Sequence, residues 1–331
     1  LLECLWVKFA EPCLFQDATS ARYSAGYPLF QNLCVGGVDS NGRDAVNDLS
    51  YMVIQATMDV QMYQPSLSVK YNMARNPDKF LRKVVELIQM GTGFPAFHSD
   101  EAGIMMMLNK GVPLSEAWDW NPCGCVETNL SGKLKEYTDI ADINMGAMVE
   151  LALNDGRSRI TGEQVSVHTG DPRDFKTMDD LMEAVKKQVA YFLDVDIRGN
   201  NLIEVLYAKY MPAPFLSVLT DDCIAKGRDY NNGGARYNSR YIQFVGLGSI
   251  TDCLSSIKKH IYEDQTMTMD HMLEVLDADF EGYEKERQIF LNKTPKYGND
   301  DDAADSLIMT MFEIIYALTN DRPTMCGGRY R

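Results

Sequence analysis

The chain has 331 residues, 45% of them hydrophobic, and a formal net charge of −15. That composition supports a large packed core and excludes a compositionally disordered chain. The acidic balance argues against nucleic acid, whose phosphates need clustered Lys and Arg, and no run approaches the roughly 18 apolar residues of a membrane span.

Taken in chain order, the start Leu1-Leu2-Glu3-Cys4 does not look like a signal peptide. Periodicity, caps and breakers predict a long helix from about Asp44 to Tyr63, ending before Pro65. A strand is expected at Ser66-Lys70, then a helix over Asp78-Met90 behind Pro77, with a weaker strand at Phe94-His98. Helix follows over Asp100-Lys110, capped by Ser99, and a turn of helix over Leu114-Trp118. Beyond the cysteine-containing stretch, Asn144-Asn154 reads as helix closing at Gly156, and Gln164-His168 as strand. Helices are then predicted at Met178-Leu193, Asn200-Tyr207, Thr251-Tyr262, Asp270-Asp277 and Asp300-Leu318, with a strand at Arg240-Val245. No repeat, low-complexity tract or linker interrupts this alternation, which is that of one mixed α/β domain. With no initiator Met and a stop at Cys326-Gly327-Gly328-Arg329-Tyr330-Arg331, inside what reads as a turn, the chain is expected to be an internal piece of a larger protein.

Several motifs have plain structural readings. Gly246-Leu247-Gly248-Ser249-Ile250-Thr251 lacks the third glycine of a dinucleotide loop and reads as a strand-to-helix turn. Asn299-Asp300-Asp301-Asp302 with Asp305 is expected to be a solvated helix start, where carboxylates cap N–H groups and meet the positive dipole end, rather than a cation site. Met105-Met106-Met107 reads as core packing, and Gly26, within Arg22-Tyr23-Ser24-Ala25-Gly26-Tyr27, as turn punctuation. Four histidines without close Cys or carboxylate spacing do not suggest zinc. Eight scattered cysteines with no CxxC pair suggest free thiols in a reducing, cytoplasmic setting.

The informative stretch is Asn121-Pro122-Cys123-Gly124-Cys125-Val126-Glu127-Thr128. Pro122 and Gly124 break regular structure around Cys125. If Cys125-Val126-Glu127 is extended, Cys125 and Glu127 point to the same side, because strand side chains alternate. A nucleophilic thiolate wants a cation or a helix N-terminus beside it. Here the sequence neighbours are Asp119 and Glu127, and the first base downstream is Lys133. Two carboxylates favour neutral S–H, which suits hydrogen-atom transfer better than nucleophilic attack. The competing structural reading is a small buried hydrophobe.

Gly124-Cys125-Val126-Glu127 resembles the thiyl loop of the glycyl radical enzymes, the pyruvate formate-lyase-like family. The resemblance extends over nearly the whole chain, through Gln31-Asn32, Gly36-Gly37-Val38, the segment from Gly42 to Ser50, Gln64-Pro65-Ser66-Leu67-Ser68-Val69, Gly233-Gly234-Ala235-Arg236-Tyr237-Asn238, and the segment from Lys293 to Asp300. It implies an α/β fold: a ten-stranded barrel of two five-stranded half-barrels, with helices outside and the cysteine loop inside. Residues 1–331 would form the central part of that single domain, without its N-terminal part or its C-terminal glycyl radical domain. The resemblance assigns Cys125 the thiyl radical and Glu127 the role of general base or acid. It implies a glycyl radical installed by a separate radical S-adenosylmethionine activating enzyme, a small-molecule substrate, a homodimer, and no metal or cofactor bound by these residues. Cys123 to Thr128, Gly282-Tyr283-Glu284 and the segment from Pro323 to Arg331 look most like the 4-hydroxyphenylacetate decarboxylases, so decarboxylation of an arylacetate is the expected reaction. No matching substrate-binding histidine can be placed near Asp155 to Arg159. The alternatives are a dehydratase of diols or hydroxyproline, a carbon–nitrogen or carbon–sulfur lyase acting on choline or isethionate, or a non-catalytic or decoy copy.

Overall fold

The computed structural model describes residues 1–12, 18–19, 21–24, 31–124, 127–135 and 141–330. The chain divides into two compact units, Leu1–Thr138 with Leu219–Asp222, and Asp139–Val218 with Cys223–Arg331.

The first unit is built on a parallel sheet of β1 (Asn32–Gly36), β2 (Ser66–Tyr71) and β3 (Ala96–Ser99), with β2 in the middle. β2 is buried at five of its six positions, Leu67 to Tyr71, as expected of a central parallel strand covered on both faces. Helices α1 (Leu2–Ala10), α2 (Asp48–Val60) and α3 (Asp78–Gln89) pack with it through Trp6, Val53, Ile54, Leu67, Val69, Phe80, Val84 and Leu87. Trp6 also donates its indole N–H to Thr57 Oγ1 at 3.0 Å, which satisfies the one polar atom that it brings into the core. α2 begins later than the apolar pattern suggested. Asn47 caps it in a reciprocal box with Ser50, while Asp44 is drawn into a bridge with Val38 and accepts from Asn76 Nδ2 at 2.7 Å. α4 (Asp100–Asn109), capped by Ser99, and the short α5 (Leu114–Ala117) lead to an antiparallel hairpin of β4 (Asn121–Cys123) and β5 (Glu127–Asn129). Only Met107 of the three consecutive methionines is core; Met105 and Met106 are 55% and 45% exposed. Three successive helical residues cannot share one face.

The second unit centres on α6 (Met145–Leu153), α7 (Met178–Tyr210), α8 (Leu247–Ile257) and α11 (Asp302–Thr319), with α9 (Met269–Asp277) beside them and α10 (Glu284–Asn292) following α9 in the chain. A short parallel pair, β6 (Asp142–Asn144) and β7 (Gln243–Val245), precedes α6 and α8 respectively. Two helices were expected across residues 178–207, but α7 is a single helix of 33 residues. Gly199 sits inside it with nothing within 4 Å of where a Cβ would stand, so the helix passes it without a break. Gln164–His168 forms no strand; Gln164 makes one isolated bridge with Arg157 and spends its amide on the carbonyls of Asp155 and Ser166. The glycine turn reading of residues 246–251 holds, since Gly246 stands at φ +85° as the N-cap of α8. Asp301 likewise caps α11 by accepting from Ala303 N–H. α8 runs on into a π-helical turn, Lys258–Glu263.

Two glycine-rich loops of this unit interlock. A Cβ on Gly328 would fall 1.7 Å from Asn238 O, and one on Gly233 would fall 2.5 Å from Cys326 O. Behind them, buried Arg240 pairs with buried Glu204, whose other oxygen accepts from Cys326 N–H at 2.9 Å.

Candidate active site

The hairpin register pairs Asn121 with Asn129, Pro122 with Thr128, and Cys123 with Glu127, leaving three residues to reverse the chain. The first, Gly124, has φ +59°, a conformation that costs a side-chain-bearing residue and suits glycine. Glu127 returns over it: a Cβ on Gly124 would lie 2.7 Å from Glu127 Oε2. Glycine is therefore needed here twice, for the turn and for the carboxylate above it. Cys125 and Val126, including the expectation that Cys125 and Glu127 point together, lie outside the described residues.

The loop is held from the parallel sheet at both ends of β4. Asn32, at the start of β1, donates its amide Nδ2–H to Gly124 O and accepts from Gly124 N–H with Oδ1, each at 2.9 Å. Lys70 of β2 donates to Trp120 O at 2.7 Å, immediately before β4. Lys70 and Asp100 are both buried and lie 3.7 Å apart. Asp100 also accepts from Trp120 Nε1 at 2.8 Å and from Asn72 Nδ2 at 3.1 Å. A buried charge is tolerated when paired and hydrogen-bonded in this way. The Trp120 ring is admitted by Gly103 of α4, where a Cβ would lie 2.1 Å from Cε2.

The charges near the loop partly cancel. Lys133, the nearest base in sequence, pairs with Asp119 at 3.2 Å. Lys110 reaches Thr128 Oγ1 at 3.5 Å. In β1, burial pushes the Cys34 thiol up to about 11, Lys70 pulling the other way, so Cys34 is a protonated packing residue.

The segment Asp155–Arg159 has a histidine partner that spacing alone did not suggest. His168 Nδ1 lies 2.7 Å from Asp155 Oδ2, while Asp155 Oδ1 accepts from the N–H groups of Thr169 and Gly170. Asp155 is held below the usual carboxylate range, first by His168 and then by those N–H groups. His168 is 68% exposed, and the arrangement is a loop clasp after α6. The second unit also contains a cavity of about 380 Å³ lined chiefly by apolar groups such as Val149, Leu153, Leu273, Phe280 and Phe290. Among its charged lining residues Arg159 pairs with Asp277 and Lys296 with Asp252, and Glu150 lines it as well. Among the described residues no helix is long and apolar enough to cross a membrane.

Sequence reasoning missed Asn32, Lys70 and Asp100 as supports of the loop. Lys70 carried a readable signal, a lone cation within the apolar strand Ser66–Tyr71. Asn32 entered only through the Gln31-Asn32 motif of the resemblance, and no local pattern pointed to its partner 92 positions away.

Comparison with known proteins places these residues in context. A family model described as pyruvate formate lyase-like matches residues 1–331. The trans-4-hydroxy-L-proline dehydratase of Clostridioides difficile is 43% identical over 332 residues, covering all of this chain and 42% of the relative. The solved structure of hydroxyproline dehydratase from that organism, with trans-4-hydroxy-L-proline bound, superposes with a TM-score of 0.95 at 42% identity, covering 100% of this chain and 42% of that one. An isethionate sulfite-lyase of Desulfovibrio desulfuricans is 34% identical over 93% of the chain and 37% of its own length. The 4-hydroxyphenylacetate decarboxylase glycyl radical subunit of Clostridium scatologenes matches more distantly, at 31% identity over 88% of the chain and 37% of its own length. The chain thus spans about two fifths of the length of these relatives, and dehydratase similarity exceeds decarboxylase similarity.

Proposed function

Because the chain belongs to the pyruvate formate lyase-like family, we propose that it forms part of a thiyl-radical dehydratase acting on a small hydroxylated substrate, trans-4-hydroxy-L-proline foremost. Its fold is part of the α/β barrel of the glycyl radical enzymes. The observation that carries the substrate reading is the 43% identity with a hydroxyproline dehydratase across the whole chain. The expected arylacetate decarboxylation is less well supported, its representative being 31% identical.

A glycyl radical, made by a separate radical S-adenosylmethionine activating enzyme on a part of the protein beyond these residues, supplies the unpaired electron. The Cys125 thiyl takes a hydrogen atom from the carbon next to the substrate's C–OH, forming S–H and a carbon radical. Glu127 moves the proton that lets the hydroxyl depart as water. The product-side radical then recovers its hydrogen atom from Cys125 S–H. The net change is loss of one water, with no external oxidant or reductant. Enclosure from solvent protects such radicals from side reactions. The same steps with a sulfonate leaving group describe a carbon–sulfur lyase, the reading favoured by similarity to isethionate sulfite-lyase.

The test is a parallel screen of the whole protein, activated anaerobically, with trans-4-hydroxy-L-proline, glycerol, isethionate and 4-hydroxyphenylacetate. Turnover of hydroxyproline with water loss is expected. Release of sulfite alone selects the carbon–sulfur lyase, and carbon dioxide alone restores the decarboxylase. Cys125→Ser should keep the glycyl radical signal in electron paramagnetic resonance and abolish turnover; normal turnover would remove Cys125 from the mechanism. Glu127→Gln should cripple turnover while the fold persists.

A further inference from the structure

We infer that Asn32 is a positioning residue for the radical cysteine, fixing both backbone polar groups of Gly124, the residue bonded directly to Cys125. The inference rests on the reading of Cys125 as the thiyl carrier. Asn32 Oδ1 accepts from Gly124 N–H, which belongs to the Cys123–Gly124 peptide. Asn32 Nδ2 donates to Gly124 O, which belongs to the Gly124–Cys125 peptide. One side chain therefore grips both groups of the residue that enters the turn. A carboxamide is suited to this because it carries an acceptor and a donor side by side.

The clamp falls where the backbone has most freedom to lose. Gly124 at φ +59° has access to conformations closed to other residues. The hairpin itself contributes only three register pairs. Hydrogen-atom transfer needs donor and acceptor in near contact, and a misplacement of about 1 Å costs on the order of 100-fold in rate. A loop that must hand a hydrogen atom out and take it back needs its anchor fixed in both directions of the cycle.

Asn32 is well placed to impose that constraint. It is the first residue of β1, in parallel register with Ser66 of β2. Lys70, further along β2, grips Trp120 O at the other end of β4. The two contacts differ in what they support. Lys70 belongs to a buried ion pair, and its loss would unsettle the core. Asn32 is only half-buried, so its truncation leaves the core intact and exposes the positioning effect by itself.

The test compares wild type, Asn32→Ala, Asn32→Asp and Cys125→Ser in the whole activated enzyme. The probe is the substrate turned over in the screen above, trans-4-hydroxy-L-proline first, in ordinary and fully deuterated forms. Asn32→Asp replaces the donor to Gly124 O with an acceptor, and should lower kcat by about 10- to 100-fold. KM should stay within about twofold, the radical spin count should be unchanged, and the deuterium isotope effect on kcat should rise as hydrogen transfer becomes slower. A purely structural role would reduce the activated fraction and leave the isotope effect of the surviving molecules alone; that outcome, or wild-type kcat in both variants, overturns the inference. Hydrogen exchange at the Gly124 amide requires no turnover: Asn32→Ala should exchange at least about tenfold faster, and wild-type protection would also overturn it. Cys125→Ser separates the two readings. If it remains active, the thiyl assignment fails; if it is inactive while the Asn32 variants behave as wild type, only the clamp fails.

Discussion

At the residue scale, Gly124 and Glu127 show how closely conformation and chemistry are joined in this loop. Gly124→Ala introduces a Cβ at positive φ, which costs about 1–2 kcal/mol, and directs it at the Glu127 carboxylate, 2.7 Å away. The carboxylate is the movable partner, so the larger consequence should be functional. Gly124→Ala is expected to retain a folded midpoint within several degrees of wild type while turnover falls at least about tenfold, by displacement of Glu127 from its proposed proton-transfer role. Paired kinetic and thermal measurements on the whole enzyme check this, and unchanged turnover would mean that Glu127 tolerates relocation. The pair Gly124 and Glu127 was legible in the sequence as a turn glycine and an acid beside a cysteine. Their mutual contact was not, because the hairpin register that folds Glu127 back is a tertiary fact.

At the element scale, helices with strong end signals were readable and strands were less so. Asn47, Ser99, Asn144 and Thr268 each cap a helix through a side-chain oxygen, and Thr177 does so at the start of α7. β1 escaped notice because Asn32–Gly36 is short, ends in glycine and offers no alternation. The predicted strand at Gln164–His168 had the alternation but no sheet to join. The break expected before Asn200 reflects an intrinsic weakness that the packing of Leu193 and Ile197 overrides. That weakness is measurable. Gly199 is helical, and a Cβ there meets nothing within 4 Å. Gly199→Ala should therefore stabilise the second unit by about 0.5–1 kcal/mol, read as a rise in denaturation midpoint. A fall would indicate that the helix is not continuous through residue 199.

At the scale of the whole molecule, acid sensitivity follows from histidines buried in neutral form. His260, in the π-helical turn, is buried between the hydroxyls of Thr266 and Thr294, at 3.1 and 3.0 Å. Burial, with Lys259 and Lys296 adding to it and Asp264 opposing, holds its pKa below the ordinary value. The folded state then binds fewer protons than the unfolded chain, so its stabilising contribution is complete above about pH 6.5 and is lost as pH falls from there through the lower folded-state pKa. His98 is shifted in the same direction by burial. Half-buried His271, raised first by its hydrogen bond to Glu286, acts oppositely. The expected result is a lower denaturation midpoint at pH 5 than at pH 7.5, with a smaller difference in His260→Asn. An equal difference in that variant would assign the acid sensitivity elsewhere.

The interlocked glycine loops of the second unit bear on how the chain reaches this structure. Cys326 N–H meets Glu204 across 122 positions of sequence, and Cys326 Sγ meets Asn231 O across 95. Contacts of such long range carry a large loop-closure entropy before any of their energy is recovered. The fit at Gly328 and Gly233 admits no side chain, so the segment 323–330 is accommodated only when residues 228–240 already have their final backbone. Docking of that segment is therefore expected late in folding, and substitutions there should act on the unfolding rate more than on the folding rate, as unfolding and refolding kinetics of such variants would show.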